Sequence, residues 1–267
     1  MTTPTAFQDT IESVITTIEN QFKNKASDTY VKFGISNLDQ DLLGFAPGEL
    51  TTINANNPED LLSFTQKCLV DVVTKQDKSA LVYSGNIPTE HYTKRILARL
   101  SQIDLLKLDR AAIEPSEWPA LADTTTLLNK AKLWFADGLP NIKGLSDHLH
   151  ESYAGMSAAP DLVLVHTTER ELMGREQFDF LRLKQTAKKL GCTVWIAVEL
   201  RASMGLVLDK KRPRPDSIPS GLENHGVDKI LFIAPQDRDQ SQDRDRDQRF
   251  HNNSVRVLKG GLAQRVR

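Results

Sequence analysis

The side chains best suited to chemistry are scattered along this chain. His148 and His150 lie two residues apart in a helical pattern, and His166 follows an apolar run. Two positions apart on a helix, His148 and His150 point to different sides, which is poor geometry for a shared metal. No metal site is therefore expected. Cys68 and Cys192 are the only cysteines, both have apolar neighbours, and no Cys-x-x-Cys pair exists. They are expected to be buried, reduced thiols. Two charged stretches stand out. Lys210, Lys211, Arg212 and Arg214 sit among prolines within 203–221, and QDRDQSQDRDRDQR occupies the centre of 235–253. The four basic residues are candidate nucleic-acid contacts. The Asp-Arg run has almost no apolar content and is expected to be a solvated loop between two strands.

The whole-chain charge argues against a dedicated nucleic-acid binder. Thirty-four Lys and Arg oppose 35 Asp and Glu in 267 residues, a formal net charge of −1, and such binders are usually more basic. No apolar run approaches the ~18 residues of a membrane span. The N-terminus lacks a basic start followed by an apolar core, so a cytoplasmic protein without membrane contact is expected.

The elements that must carry these residues alternate between strands and helices. Apolar, β-rich runs occur at Leu50–Ala55, Ala80–Tyr83, Leu133–Phe135, Leu162–Val165, Val194–Val198, Ile230–Ile233 and Val255–Leu258. Helical patterns fall at about 60–75, 89–103, 116–131, 142–153 and 171–190. Continuous apolar strands separated by helices predict a mostly parallel sheet covered on both faces. The last two runs have no helical pattern between them and predict an antiparallel edge. A tight turn is expected at Asp137–Pro140. Before the first strand, Phe7, Ile11, Val14, Ile15, Ile18 and Phe22 trace an apolar stripe over 5–24. This amphipathic helix must bury its stripe on its own domain or on a neighbour. The polar stretch Lys23–Asp28 reads as a linker, dividing the chain into 1–30 and a domain at 31–267.

The segment FGISNLDQDLLGFAPGELTTINA, residues 33–55, is the most specific signature. Its Gly34, Leu38, Asp39, Gly44, Pro47, Gly48 and Leu50 resemble the opening turn of the DnaB-type replicative helicase motor domain. The helix at 5–24 and its linker resemble the linker helix preceding that domain. The resemblance implies a RecA-like three-layer α/β fold with a mostly parallel central sheet, preceded by an amphipathic N-terminal helix.

It also implies where an ATP site should be, and there the residues are wrong. A phosphate loop needs Gly-x-x-x-x-Gly-Lys-Ser/Thr after the first strand, so that amides wrap the phosphates, lysine neutralises them and the hydroxyl holds Mg²⁺. Counted from the strand, Asp60 falls on the second glycine, Leu61 on the lysine and Leu62 on the hydroxyl. A carboxylate ~4 Å from a phosphate charge costs about 1 kcal/mol in water and several times that near a protein surface. The family's Ser-x-Glu reads Ser84-Gly85-Asn86, and an amide cannot accept a water's proton at neutral pH. His166 takes the place of the Walker B aspartate, and imidazole is a poor substitute for a Mg²⁺-organising carboxylate. Glu199 replaces the polar sensor. The trans-acting Lys-x-Arg pair is reduced to Lys259.

The resemblance and the missing groups together predict a pseudo-ATPase with no catalytic residues and no cofactor. It would serve as an interaction or regulatory module in DNA replication or a related DNA transaction, its protein partner being itself or a replicative helicase. The competing expectations are a nucleic-acid-binding accessory protein, with DNA as partner, and an active ATP-dependent DNA helicase with an unusual site.

Overall fold

The central sheet is built from the apolar runs because their side chains can be buried on both faces. In the computed structural model the described residues are 7, 11–12, 14–16, 19, 29–42, 44–136, 145–154, 159–172, 180–200, 226–234, 254–259 and 262–265. The strands are β1 (Leu50–Ala55), β2 (Ala80–Tyr83), β3 (Leu133–Ala136), β4 (Leu162–Thr168), β5 (Thr193–Glu199), β6 (Lys229–Ala234), β7 (Ser254–Lys259) and β8 (Leu262–Arg265). They form one sheet in the order β3-β2-β4-β5-β1-β6-β7-β8. β1 to β6 are mutually parallel. β7 and β8 add an antiparallel edge. The antiparallel pairing of the last two expected runs is thus present, but the rim of the sheet is β8, whose four residues LAQR carry little apolar signal.

Helices cover both faces. The described ones are α1 (Ser36–Leu42), α2 (Pro58–Thr74), α3 (Thr89–Ser101), α4 (Leu105–Asp109), α5 (Trp118–Asn129), α6 (Leu145–Ala154), α7 (Glu169–Leu172) and α8 (Phe180–Leu190). One core joins α2 and α3 to alternate sheet residues, among them Ile53, Val82, Leu164 and Trp195. The opposite core joins α6 and α8 to Leu81, Tyr83, Val163, Val165 and Val194. This is the three-layer, mostly parallel arrangement expected from the strand–helix alternation.

The helical pattern at 171–190 is revised. Its ends are two helices, α7 and α8, with 173–179 outside the described residues. α7 begins two residues earlier than expected because Thr168 and Glu171 cap it reciprocally. Thr168 N donates to Glu171 Oε2 at 2.9 Å, and Glu171 N donates to Thr168 Oγ1 at 3.3 Å, a capping box in Thr-x-x-Glu spacing. The run expected to end at Val165 continues through Thr168.

The opening turn contains a helix, α1, and its signature residues hold it together. Asp39 accepts from Phe33 N at 2.7 Å and Ile35 N at 2.9 Å. Leu38 is buried. Gly34 has φ +74°, and a Cβ there would lie 2.1 Å from the Asp71 carboxylate carbon. Gln76 then ties Lys32 to the end of α2, accepting from its N–H at 3.0 Å and donating to its carbonyl at 2.9 Å. Both cysteines are buried, and neither forms a disulfide. Of the 5–24 stripe, residues 7, 11, 14 and 15 are helical and exposed, Phe7 by 78%. The Lys23–Asp28 linker and the turn at Asp137–Pro140 lie outside the described residues. No helix among the described residues is long and apolar enough to cross a membrane.

Candidate functional site

Ligands of open parallel sheets bind beyond the carboxyl ends of the strands. Here that edge is formed by β2, β4, β5 and β1, which are neighbours in that order. Glu199 pairs with Ala55 on one side and Thr168 on the other. His166 lies one residue beyond the Tyr83–Val165 pair, and Asn86 follows the end of β2. The sheet therefore gathers Asp60, Leu61, Leu62, Asn86, His166 and Glu199 around one edge.

What it builds there is not a loop. Only Asn56 and Asn57 separate β1 from α2. Pro58 opens the helix, where a missing N–H costs nothing and φ is already set. Asn57 is the N-cap, its Oδ1 accepting from Glu59 N at 3.0 Å. Leu61 N donates to Asn57 O at 3.1 Å. Amides that a phosphate loop would turn towards an anion are here consumed by a cap and by the helix. Glu59 and Asp60 place two carboxylates in the first turn, where the helix dipole favours negative charge. Leu61 and Leu62 are only 4% and 7% exposed and belong to the α2–α3 core.

His166 is equally internal. It is 6% exposed, on the α2–α3 side of β4. Its Nε2 lies 3.2 Å from Tyr92 Oη and 3.5 Å from Thr65 Oγ1. Burial pushes the imidazole pKa from 6.5 down to about 4, so the ring is neutral. Burial also raises the Tyr92 phenol pKa far above its ordinary value. The phenol therefore keeps its proton and shares a hydrogen bond with the neutral ring, the donor being set by the imidazole tautomer, while Thr65 Oγ1 donates to Leu61 O at 2.9 Å. Gly85 lets the β2–α3 turn press on this point. It has φ +63°, and a Cβ there would lie 2.5 Å from His166 O.

Asn86 is exposed and donates to Glu171 Oε1 at 3.2 Å. Burial pushes the Glu171 pKa up, but hydrogen bonds from Thr168, Asn86 and Thr167 outweigh it and hold the group below the usual carboxylate value. Glu59, in the first turn of α2, forms an ion pair with Arg95 of α3.

Comparison with known proteins places the chain. Residues 31–261 match the model of the DnaB-like helicase C terminal domain. The chain belongs to that family. The chain is 24% identical over 268 residues to the replicative DNA helicase DnaB of Buchnera aphidicola subsp. Schizaphis graminum, covering 94% of this chain and 54% of the relative. It is 26% identical over 241 residues to the DnaB of Pasteurella multocida, covering 84% and 50%. It thus spans about half the length of these curated relatives. Among solved structures, a DnaB-like replicative helicase described with its interactions with primase superposes with a TM-score of 0.72 at 16% identity, covering 95% of this chain and 62% of that one. A second solved structure, an ATPase domain, superposes with a TM-score of 0.72 at 14% identity, covering 96% and 92%. The RecA-like fold expected from the opening turn is the fold of these neighbours.

Against this DnaB-like frame the remaining candidates separate. Lys259 ends β7, past the Leu258–Ile230 pair, at the edge opposite His166 and Glu199. The structure therefore does not bring it to the site of its own chain. Lys210, Lys211, Arg212 and Arg214, and the loop at 235–253, lie outside the described residues. His148 Nδ1 lies 3.1 Å from Tyr83 Oη on the α6–α8 side, so it cannot share a ligand with His166. No group of three or more His, Cys, Asp or Glu among the described residues could hold a metal. Tyr92, Thr65 and Arg95 are absent from the sequence-derived set because only the packing of α3 on β4 and α2 makes them neighbours of His166 and Glu59. Glu171 had a readable signal, the Thr-x-x-Glu spacing.

Proposed function

We propose that this chain is a non-catalytic DnaB-like domain that works as an interaction or regulatory module in DNA replication or a related DNA transaction. The observation that carries the reading is the two-residue passage from β1 into α2, with Leu61 and Leu62 buried where a lysine and a hydroxyl would be needed. A helix that starts this early has already committed the Glu59 and Leu61 amides to Asn57. Neutral His166, hydrogen-bonded inward, offers no carboxylate to organise Mg²⁺, and Asn86 offers no base. The protein partner is a second copy or a replicative helicase, contacted through the RecA-like faces and the 5–24 helix, whose described apolar residues Phe7, Ile11, Val14 and Ile15 are exposed. Lys259, at the edge away from this chain's own site, would act in a neighbour's.

The test is thermal unfolding of the purified protein with and without millimolar Mg²⁺-ATP. A ligand that binds only the folded state raises apparent stability, by about 2.7 kcal/mol at 100 times its Kd. No shift and no phosphate release are expected. A shift of several degrees would overturn this reading of the phosphate loop and reopen the active-helicase alternative. Light scattering of the full chain against a 5–24 deletion, alone and with a replicative helicase, tests the association. Unchanged masses and unchanged binding would remove the helix from the reading.

A further inference from the structure

The amino-terminal halves of α2 and α3 are joined by polar side chains. Three links cross between them. Tyr92 Oη reaches His166 Nε2, which also faces Thr65 of α2. Gln66 Nε2 of α2 donates to the Tyr92 carbonyl at 3.3 Å. Arg95, one turn further along α3 and mostly buried, pairs with Glu59 in the first turn of α2. Tyr92, Thr65 and Gln66 are all buried. The Tyr92, His166, Thr65 and Gln66 groups would be costly to leave unpaired inside the protein, whereas Glu59 is 67% exposed and its pair with Arg95 adds less.

We propose that these contacts form an internal latch, in which Tyr92 and Arg95 hold α2 through His166, Thr65 and Glu59 and fix the α2–α3 face in one arrangement without any ligand. The physical reason lies in what the carboxyl edge lacks. A ligand shifts a conformational equilibrium only by its differential affinity for the two states. Here the Glu59 and Leu61 amides are bonded to Asn57, and the two helices are coupled by the protein's own side chains. His166 supplies the centre of the latch because a neutral imidazole can accept from Tyr92 in a dry site, where an ionised aspartate would be costly. Arg95 supplies the cation that Glu59 would otherwise lack. The consequence is a face that a partner meets in a single shape. This inference sits beside the non-catalytic reading but does not need it, since the latch is a property of the unliganded chain.

The experiment is hydrogen–deuterium exchange on the full chain, read over residues 58–66 and 89–96. Glu59→Arg and Arg95→Glu are each expected to speed exchange in both segments severalfold, and the double reversal is expected to restore it. Tyr92→Phe is expected to speed exchange in both by roughly tenfold, the scale of one lost buried hydrogen bond. β1, β4 and β5 should keep their protection. Exchange in the single charge variants equal to the unaltered protein would overturn the latch, because apolar packing alone would then be holding the helices. So would a double reversal that fails to restore protection. A thermal shift with Mg²⁺-ATP alongside an intact charge-reversal pattern would sink only the non-catalytic reading. A flat charge-reversal series with no ATP shift would sink only the latch. The charge series remains decisive if Tyr92→Phe does not fold.

Discussion

Acidification should destabilise this protein through one residue in a window fixed by its burial. His166 has a folded pKa of about 4 against an ordinary 6.5. Above pH 6.5 the ring is neutral in both states and contributes no slope. Between 6.5 and 4 the unfolded chain takes up a proton that the folded chain refuses, so stability falls as pH falls. One proton is worth about 1.36 kcal/mol per pH unit. The loss attributable to His166 is then roughly 2 kcal/mol by pH 5 and roughly 3 kcal/mol by pH 4. Asp161 and Glu171, both held below their usual values, add losses of their own at lower pH. The clean comparison is therefore with His166→Gln, which cannot titrate but can still accept from Tyr92. Urea unfolding at pH 7, 6 and 5 gives the free energies. The two proteins should diverge in slope, with the variant flatter by about one proton. Parallel curves across that window would refute the argument, since they would mean that His166 is solvated or charged in the folded state.

Three further outcomes follow from the same geometry. Leu61→Lys puts an ammonium into the α2–α3 core at the position counted from β1 as the phosphate-loop lysine; urea unfolding should show a loss of at least about 3 kcal/mol, with no nucleotide-dependent gain in Tm. Asp39→Ala removes the acceptor for the Phe33 and Ile35 amides, which should cost about 2 kcal/mol by urea unfolding. Gly85→Ala forces a side chain at φ +63° to within 2.5 Å of the His166 carbonyl. It should lower stability by about 2–4 kcal/mol, and an unchanged Tm would show that the β2–α3 turn is not pressed on β4.

The signature residues of the opening turn serve the fold itself. Leu38 fills core, Asp39 satisfies two amides, and Gly34 makes room for the Asp71 carboxylate. These needs are independent of catalysis, so the opening turn can be read without any active site behind it.

The strands and their alternation with helices are legible in the chain alone. A strand covered on both faces is mostly apolar, so Ala80–Tyr83 was readable to the residue; Leu50–Ala55 was readable too, although it buries the polar Thr51, Thr52 and Asn54. Legible too is which residue types stand at the carboxyl edge, since a strand end can be counted along the chain. What those residues do depends on packing. A count along the chain cannot tell a loop from a helix started early, because Asn57 and Pro58 act only once β1 and α2 fix the direction of the amides. Nor could the position of His166 after an apolar run announce what its ring does. Its partners Tyr92 and Thr65 lie 74 and 101 residues away, and only the packing of α3 and α2 over β4 brings them within reach of its ring.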